Sequence, residues 1–131
     1  MPGSGAFPAD LRDFIASCFD SVGAIEVLLL LRSDRSRKWT AEEVSRELRS
    51  NLTHNERQLE RLRELGLLEV EDEGPPRAYV FGPRSAKMES LVNEMAVQFA
   101  VRRVTVINII YESKLSDKIQ VFSDAFKLRK D

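Results

Sequence analysis

Residues 40–68 read TAEEVSRELRSNLTHNERQLERLRELGLL and contain two helix starts in quick succession. Each start has the form of a capping box, in which a Thr side chain accepts a hydrogen bond from the helix backbone and a Glu three residues later bonds back to the cap. The two boxes begin at Thr40 and at Thr53, and Ser50-Asn51 breaks the helical pattern between them. This segment therefore predicts two short helices joined by a tight turn.

The second of these helices leads into a β-hairpin. Its leucines at positions 59, 62 and 65 fall on one side, and Gly66 suits the left-handed residue that ends a helix. The segments 67–71 and 78–81 are rich in β-forming residues, and Asp72–Arg77 between them supplies the Gly and Pro of a turn. We predict a hairpin beyond Gly66.

Two helices are predicted before residue 40. Apolar residues recur at helical spacing from Ala9 to Asp20, and Ser21 can cap a second helix over Val22–Arg32. The second helix is apolar nearly all round, as expected of a helix surrounded by the core. Arg32–Lys38 then contains four cations against one Asp, which predicts an exposed basic loop.

The C-terminal third is predicted to be helical. Apolar residues from Arg84 to Glu112 follow a helical stripe, although the second half of this segment is β-branched and so a weaker helix former. A short final helix has one apolar face, formed by Leu115, Ile119, Phe122 and Phe126.

The order of these elements resembles the winged helix-turn-helix domain of bacterial regulators of the MarR and ArsR type. The residues that support the likeness are the capped helices Thr40–Leu48 and Thr53–Leu65, the helix exit at 62–68 and the hairpin Glu69–Phe81. The resemblance implies an α+β, mainly helical winged helix-turn-helix fold with a two-stranded wing and flanking N- and C-terminal helices. We expect a flexible tail at 1–8, the winged-helix domain with its N-terminal helix at 9–82, and a helical dimerisation extension at 83–131.

The resemblance further implies a DNA-binding transcriptional regulator that acts as a dimer. In a helix-turn-helix the second helix enters the major groove with its N-terminal side chains against base edges. Asn and Gln can pair with adenine, and Arg with guanine. The base-reading candidates are His54, Asn55, Arg57, Gln58 and Arg61, and the phosphate candidates are Arg35, Arg37, Lys38 and Arg84. A solvated helix with local Glu and Arg pairs is the alternative explanation of the same pattern.

Charge leaves the nature of the partner open. Residues 40–82 hold six Lys or Arg against ten Asp or Glu, a net charge of −4, whereas residues 83–131 are at +3. The hairpin sets one cation, Arg77, against Glu69, Glu71, Asp72 and Glu73. An acidic wing is repelled by phosphates. Either the wing points away from DNA, or the basic loop and Arg84 make the phosphate contacts, or the domain binds another protein without direct DNA binding.

The apolar residues exceed what a three-helix winged core needs. The expected core comprises Ile25, Leu28, Leu29, Val44, Leu48, Leu59, Leu62, Leu65, Val70 and Val80. The remaining apolar stripes predict a homodimer, whose interface candidates are Leu11, Phe14, Ile15, Phe19, Phe99, Ile107, Phe122 and Phe126. The alternative is that the two ends of the chain pack on each other within one molecule.

Other classes of function find no support in the sequence. Cys18 is the single cysteine and His54 the single histidine, which excludes a disulfide framework and a Cys/His zinc cluster. No Gly-rich phosphate loop or nucleophile elbow is present, so we expect no enzyme, no metal and no cofactor. The longest apolar run, Val27–Leu31, is far too short to span a membrane, and no signal peptide is recognised. We expect a cytoplasmic protein with no membrane partner.

Overall fold

The computed structural model describes residues 7–115, which form six helices and three short strands. The helices are α1 (Ala9–Cys18), α2 (Val22–Ser33), α3 (Ala41–Leu48), α4 (Leu52–Glu64), α5 (Ala86–Val101) and α6 (103–115). The strands are β1 (Trp39–Thr40), β2 (Leu68–Asp72) and β3 (Ala78–Phe81). The predicted α+β winged helix is confirmed: α3 and α4 form the helix-turn-helix, and β2 and β3 form the wing.

Local signals explain most of the helix boundaries. Ser21 caps α2 by accepting a hydrogen bond from the backbone, and Thr40 and Glu43 form the predicted capping box at the start of α3. Just beyond α4 the chain passes through Gly66, whose φ of 85° is the left-handed conformation that the sequence predicts there. These caps fix where α3 and α4 stand relative to the wing.

The three strands form one antiparallel sheet in the order β1-β3-β2. Leu68 and Val70 of β2 pair with Phe81 and Tyr79 of β3, and these four side chains pack into or against the core. Val80 lies on the opposite face of the sheet and is only half-buried. Its predicted place in the core is wrong, because side chains alternate along a strand and Tyr79 and Phe81 occupy the inner face.

The remaining core predictions are confirmed. Five of the predicted residues are fully buried, namely Ile25, Leu28, Val44, Leu59 and Leu62. Four more are partly buried and pack against that cluster, namely Leu29, Leu48, Leu65 and Val70. The core thus joins α2, the helix-turn-helix and the wing.

The two ends of the described chain pack on each other. Helix α1 packs against α5, and α6 returns to α1, where the Ser113 hydroxyl donates to the Ala16 carbonyl at 3.3 Å. Five predicted interface residues are at most 8% exposed within the single chain, namely Leu11, Phe14, Ile15, Phe19 and Phe99. Their assignment to a dimer interface is wrong, because α1 and α5 cover each other's apolar stripe. Ile107 is half-buried, and Phe122 and Phe126 lie outside the described residues.

The segment predicted as one long helix from Arg84 to Glu112 is two helices. Helix α5 ends at Val101, and Arg102 leaves the helical region with φ −133° and ψ 53°. The helix resumes at 103, and the Arg102 carbonyl accepts a hydrogen bond from Val106 in its first turn. The break falls where β-branched residues begin to dominate, and these are weaker helix formers.

Residues 7–115 contain neither a single membrane-spanning helix nor a cluster of metal ligands. No single helix there is long and apolar enough to cross a membrane, and α1 and α2 meet that test only as a pair bent by 104°. The same residues contain no group of three or more His, Cys, Asp or Glu that could hold a metal ion.

Candidate nucleic-acid interface

Helix α4 is capped by Asn51 and not by Thr53. Asn51 has an extended backbone, and its side-chain oxygen accepts a hydrogen bond of 2.8 Å from the N–H of His54. Asn caps a helix at least as well as Thr and comes two residues earlier, so α4 begins at Leu52. The predicted capping box at Thr53 is therefore wrong, and Thr53 lies exposed in the first turn.

Two of the predicted base-reading residues, Asn55 and Gln58, are buried. They share the inward face of α4 with its buried leucines and are 1% and 2% exposed. The Asn55 amide donates to the hydroxyl oxygens of Ser45 and Ser50, both at 2.9 Å, and the Gln58 amide donates to Asp20 at 3.4 Å. Their assignment as base readers is wrong, because these amides hold α4 against α3 and against the α1–α2 junction.

The other three base-reading candidates lie nearer the surface, and they differ in how far neighbouring residues restrict their side chains. His54 is half-buried against Gly23, where an added Cβ would come within 2.9 Å of the imidazole Nε2. Arg61 donates at 3.3 Å to a backbone carbonyl near the end of α1 and lies 3.9 Å from the Asp20 carboxylate. Arg57 is exposed, and its side chain has no hydrogen-bond or ion-pair partner within residues 7–115.

Two exposed arginines on the helix-turn-helix were not among the sequence candidates. Arg46 lies in the last turn of α3 and Arg49 at its C-terminal cap, and neither side chain has a partner in the described part of the chain. Asn55 ties Ser45 and Ser50, which bracket both arginines, to the first half of α4. Arg46 and Arg49 could have been identified from the sequence, because they lie just before the second helix of the helix-turn-helix. We call Arg46, Arg49 and Arg57 the basic corner.

Glu60 joins α4 to the wing. Its carboxylate accepts hydrogen bonds from Tyr79 and Arg77 of the wing, and from Arg63 of α4 at 3.0 and 3.1 Å. Burial raises the pKa of the Glu60 carboxyl, but the hydrogen bonds from Tyr79, Arg63 and Arg77 outweigh it and lower the pKa to about 2. Arg77 also donates to Glu73 at 2.9 Å. The single cation in residues 68–81 is thus fully engaged by carboxylates of the same chain.

A groove of about 390 Å³ lies between α4, the wing and the start of α3. Its apolar lining includes Leu52, Pro76 and Tyr79, and its charged lining is Glu42, Glu56, Glu60 and Arg77. Glu60 and Arg77 pair with each other, whereas Glu42 and Glu56 are exposed and have no partner among residues 7–115. We call this cavity the acidic groove.

The predicted phosphate candidates are all exposed, but two are engaged within the domain. Arg35 forms a 2.9 Å ion pair with Glu89, and the Arg37 guanidinium lies 3.5 Å from the centre of the neighbouring indole ring. Lys38 has no side-chain partner within residues 7–115. Arg84 packs over Gly66 and lines a second cavity, of about 660 Å³, on the wing.

A row of large apolar side chains stays exposed on α5 and α6. Its members are Val97 (58% exposed), Val101 (69%), Val104 (70%), Tyr111 (63%) and Leu115 (58%). The two on α5 are one turn apart, and the three on α6 are separated by seven and four residues, so each helix has its own exposed apolar face. We call these five residues the exposed stripe.

The fold is similar to that of a MarR mutant from E. coli known from a crystal structure, with a TM-score of 0.50 over 92% of this chain and 85% of that chain. The sequence identity is 14%, so the likeness concerns the fold, and it agrees with the winged helix predicted from the sequence. No protein-family model and no curated protein matches the sequence.

Proposed function

We propose that this protein is a transcription regulator that binds duplex DNA as a homodimer, through the α3–α4 turn and the first half of α4. These are the parts of a helix-turn-helix that meet the major groove and its flanking backbone. The observation that supports the proposal is the basic corner, whose three arginines are exposed and have no partner within residues 7–115. Unpaired cations beside the helix that enters the groove favour a polyanion as ligand.

Base reading then depends on the exposed side chains in the first half of α4. Arg57 can bond the two acceptors on a guanine edge, and Thr53 can contact a thymine methyl group or donate a hydrogen bond. His54 and Arg61 flank this surface and are restrained by Gly23 and Asp20. They orient α4 more than they read bases.

The wing opposes phosphates, because its one cation is engaged by Glu60 and Glu73. We therefore expect DNA to approach the α3–α4 turn more closely than the wing. Arg46 and Arg49 would give two phosphate contacts per protomer and four per dimer. The logarithm of affinity should therefore fall with the logarithm of salt at a slope of about 3.6, since each contact contributes about 0.9.

The proposed dimer forms through the exposed stripe. Five large apolar side chains exposed on two successive helices favour an interface, because a monomer rarely exposes large apolar patches. A two-fold pairing of the stripe would present two α4 helices, which read two half-sites when they are one DNA turn, ~34 Å, apart.

The proposal is tested by retention of mixed genomic fragments and by the salt dependence of binding. Replacing Arg46 and Arg49 together by Gln removes four contacts from the dimer and should flatten the salt slope by about 3.6 without changing sequence preference, because phosphate contacts position and do not specify. Arg57→Gln should relax preference at particular base pairs, at a cost of about 1–3 kcal/mol in discrimination. Lys87→Gln, which removes an exposed cation of α5 that pairs with Asp10 at 3.1 Å, is the control for a loss of positive charge outside the helix-turn-helix.

No retention of any fragment at ~50 mM salt, where electrostatic binding is strong, would overturn DNA binding.

The second candidate function is that of a winged-helix module that binds a protein without DNA. The acidic groove favours it, since an acidic cavity beside α4 repels phosphates and attracts cationic protein segments.

A further inference from the structure

We infer that the acidic groove binds an arginine-bearing segment of a protein partner. The groove lies between three elements, α3, α4 and the wing, and encloses about 390 Å³. The bonds from Tyr79 and Arg77 to Glu60 hold its α4 and wing walls together. A site that is already formed spends little binding energy on ordering itself.

The net charge of the groove is negative and favours a cationic ligand. The charges of Glu60 and Arg77 cancel each other, so the electrostatic potential in the groove is set by the unpaired Glu42 and Glu56. A phosphate is repelled by two carboxylates, and an arginine is attracted to them. A metal ion is a poorer fit, because no group of three or more potential metal ligands occurs in residues 7–115.

Because part of the lining is apolar, the cationic ligand that fits the groove best is a long side chain with an apolar residue beside it. Leu52 is 40% exposed, and Pro76 and Tyr79 complete the lining. An arginine packs its methylene stem on such a surface while its guanidinium reaches a carboxylate, to which it can donate two parallel hydrogen bonds. The volume is near the lower end of the range of binding pockets, about 300–1,000 Å³, and suits a few side chains of an extended segment.

The acidic groove can bind the segment whether or not the protein binds DNA, but the two ligands would share α4. Leu52 and Glu56 belong to the first half of α4, which is the surface proposed to enter the major groove. A bound segment and DNA would therefore exclude each other, and the partner would release the protein from DNA. Removing the Glu56 charge should strengthen DNA binding and weaken binding of the segment.

The experiment titrates the 131-residue chain into a fluorescently labelled peptide in which arginine alternates with leucine, and follows the fluorescence anisotropy of the peptide. Glu42→Gln and Glu56→Gln should each weaken binding by about two- to fivefold, the value of an exposed charge pair, and added salt should reduce this difference. Leu52→Ala should weaken binding with little dependence on salt. Glu94→Gln, an exposed carboxylate of α5 that does not line the groove, is the matched control.

Equal affinity of the Glu42, Glu56 and Glu94 variants would place the peptide elsewhere and overturn the inference. So would undiminished binding of a peptide with glutamine in place of arginine. If Glu42→Gln and Glu56→Gln weaken binding of duplex DNA and leave the peptide unaffected, the groove belongs to the DNA surface and the inference fails. Because DNA and peptide are titrated separately, loss of DNA binding alone overturns the proposed function and leaves this site standing.

Discussion

Arg49 ends helix α3 in the left-handed backbone conformation, with φ 54° and ψ 50°. A residue with a Cβ costs roughly 1–2 kcal/mol in this conformation, whereas glycine adopts it without that cost and loses only about 0.5–1 kcal/mol more entropy on folding. Arg49→Gly should therefore raise the free energy of unfolding by up to about 1.5 kcal/mol. Urea unfolding should show a higher midpoint with an unchanged slope.

Arg49→Ala is the control for this prediction, because it removes the same charge and keeps the Cβ. A glycine variant that is no more stable than the alanine variant would show that the turn is unstrained. If Arg49 contacts phosphate, the two variants should lose the same DNA affinity, which separates its contribution to binding from its effect on the backbone.

Asn55 and Gln58 show that residue type alone does not identify a base-reading side chain. Both are residues that can pair with adenine, and this chemistry made them candidates. Their spacing relative to Leu59 and Leu62 places them on the buried side of α4. Their position on the helix, and not their amide chemistry, determines their role. The buried amides donate to side-chain oxygens of α3, the α3–α4 turn and the α1–α2 junction.

At the scale of elements, the contact between α4 and the wing depends on the ionised Glu60 carboxylate. Its folded pKa of about 2 lies below the ordinary 4.5, so its contribution to stability is complete above pH 4.5 and is lost as the pH falls toward 2. Wild-type unfolding free energy should therefore fall more steeply than that of Glu60→Gln over this interval. Urea unfolding at a series of pH values measures the difference.

Glu64→Gln serves as the comparison for the Glu60 variant, since Glu64 is exposed on the same helix and makes no hydrogen bond within residues 7–115. It should follow the wild-type pH dependence. Parallel curves for wild type and Glu60→Gln would mean that the wing is held to α4 by apolar packing and not by this carboxylate.

The sequence predicted those elements whose start or end is determined by a few neighbouring residues. The Thr40 box and the Gly66 turn each lie within a few residues, and both were correctly predicted. At the start of α4 the sequence predicted a cap at Thr53 and treated Asn51 as part of a helix break. Asn51 is the cap instead, because its side chain satisfies the backbone N–H of His54 two residues before the Thr53 box could act. Strand β1 has only two residues and exists through its pairing with β3, so no local periodicity could indicate it.

For the whole molecule, the sequence could not decide which apolar stripes meet. An amphipathic stripe predicts that it is covered, but its pattern does not identify the covering surface. The structure pairs α1 with α5 inside the chain, and within residues 7–115 nothing covers the exposed stripe of α5 and α6. The apolar surplus that predicted a dimer therefore remains, on different residues.

The last prediction tests that dimer through Val104, which is 70% exposed in the chain. Light scattering over a dilution series should give twice the chain mass of 14.9 kDa for the wild type at micromolar concentration. In a two-fold interface Val104→Glu buries a charge on both sides, each at a cost above about 2 kcal/mol, so this variant should be monomeric. Leu52→Glu, which changes an exposed apolar residue outside the stripe, should remain dimeric. Because both side chains are exposed in the single chain, neither variant should lower the Tm of the monomer fold by much. A wild-type mass near that of one chain would remove the dimer, and dimerisation of Val104→Glu would move the interface away from the stripe.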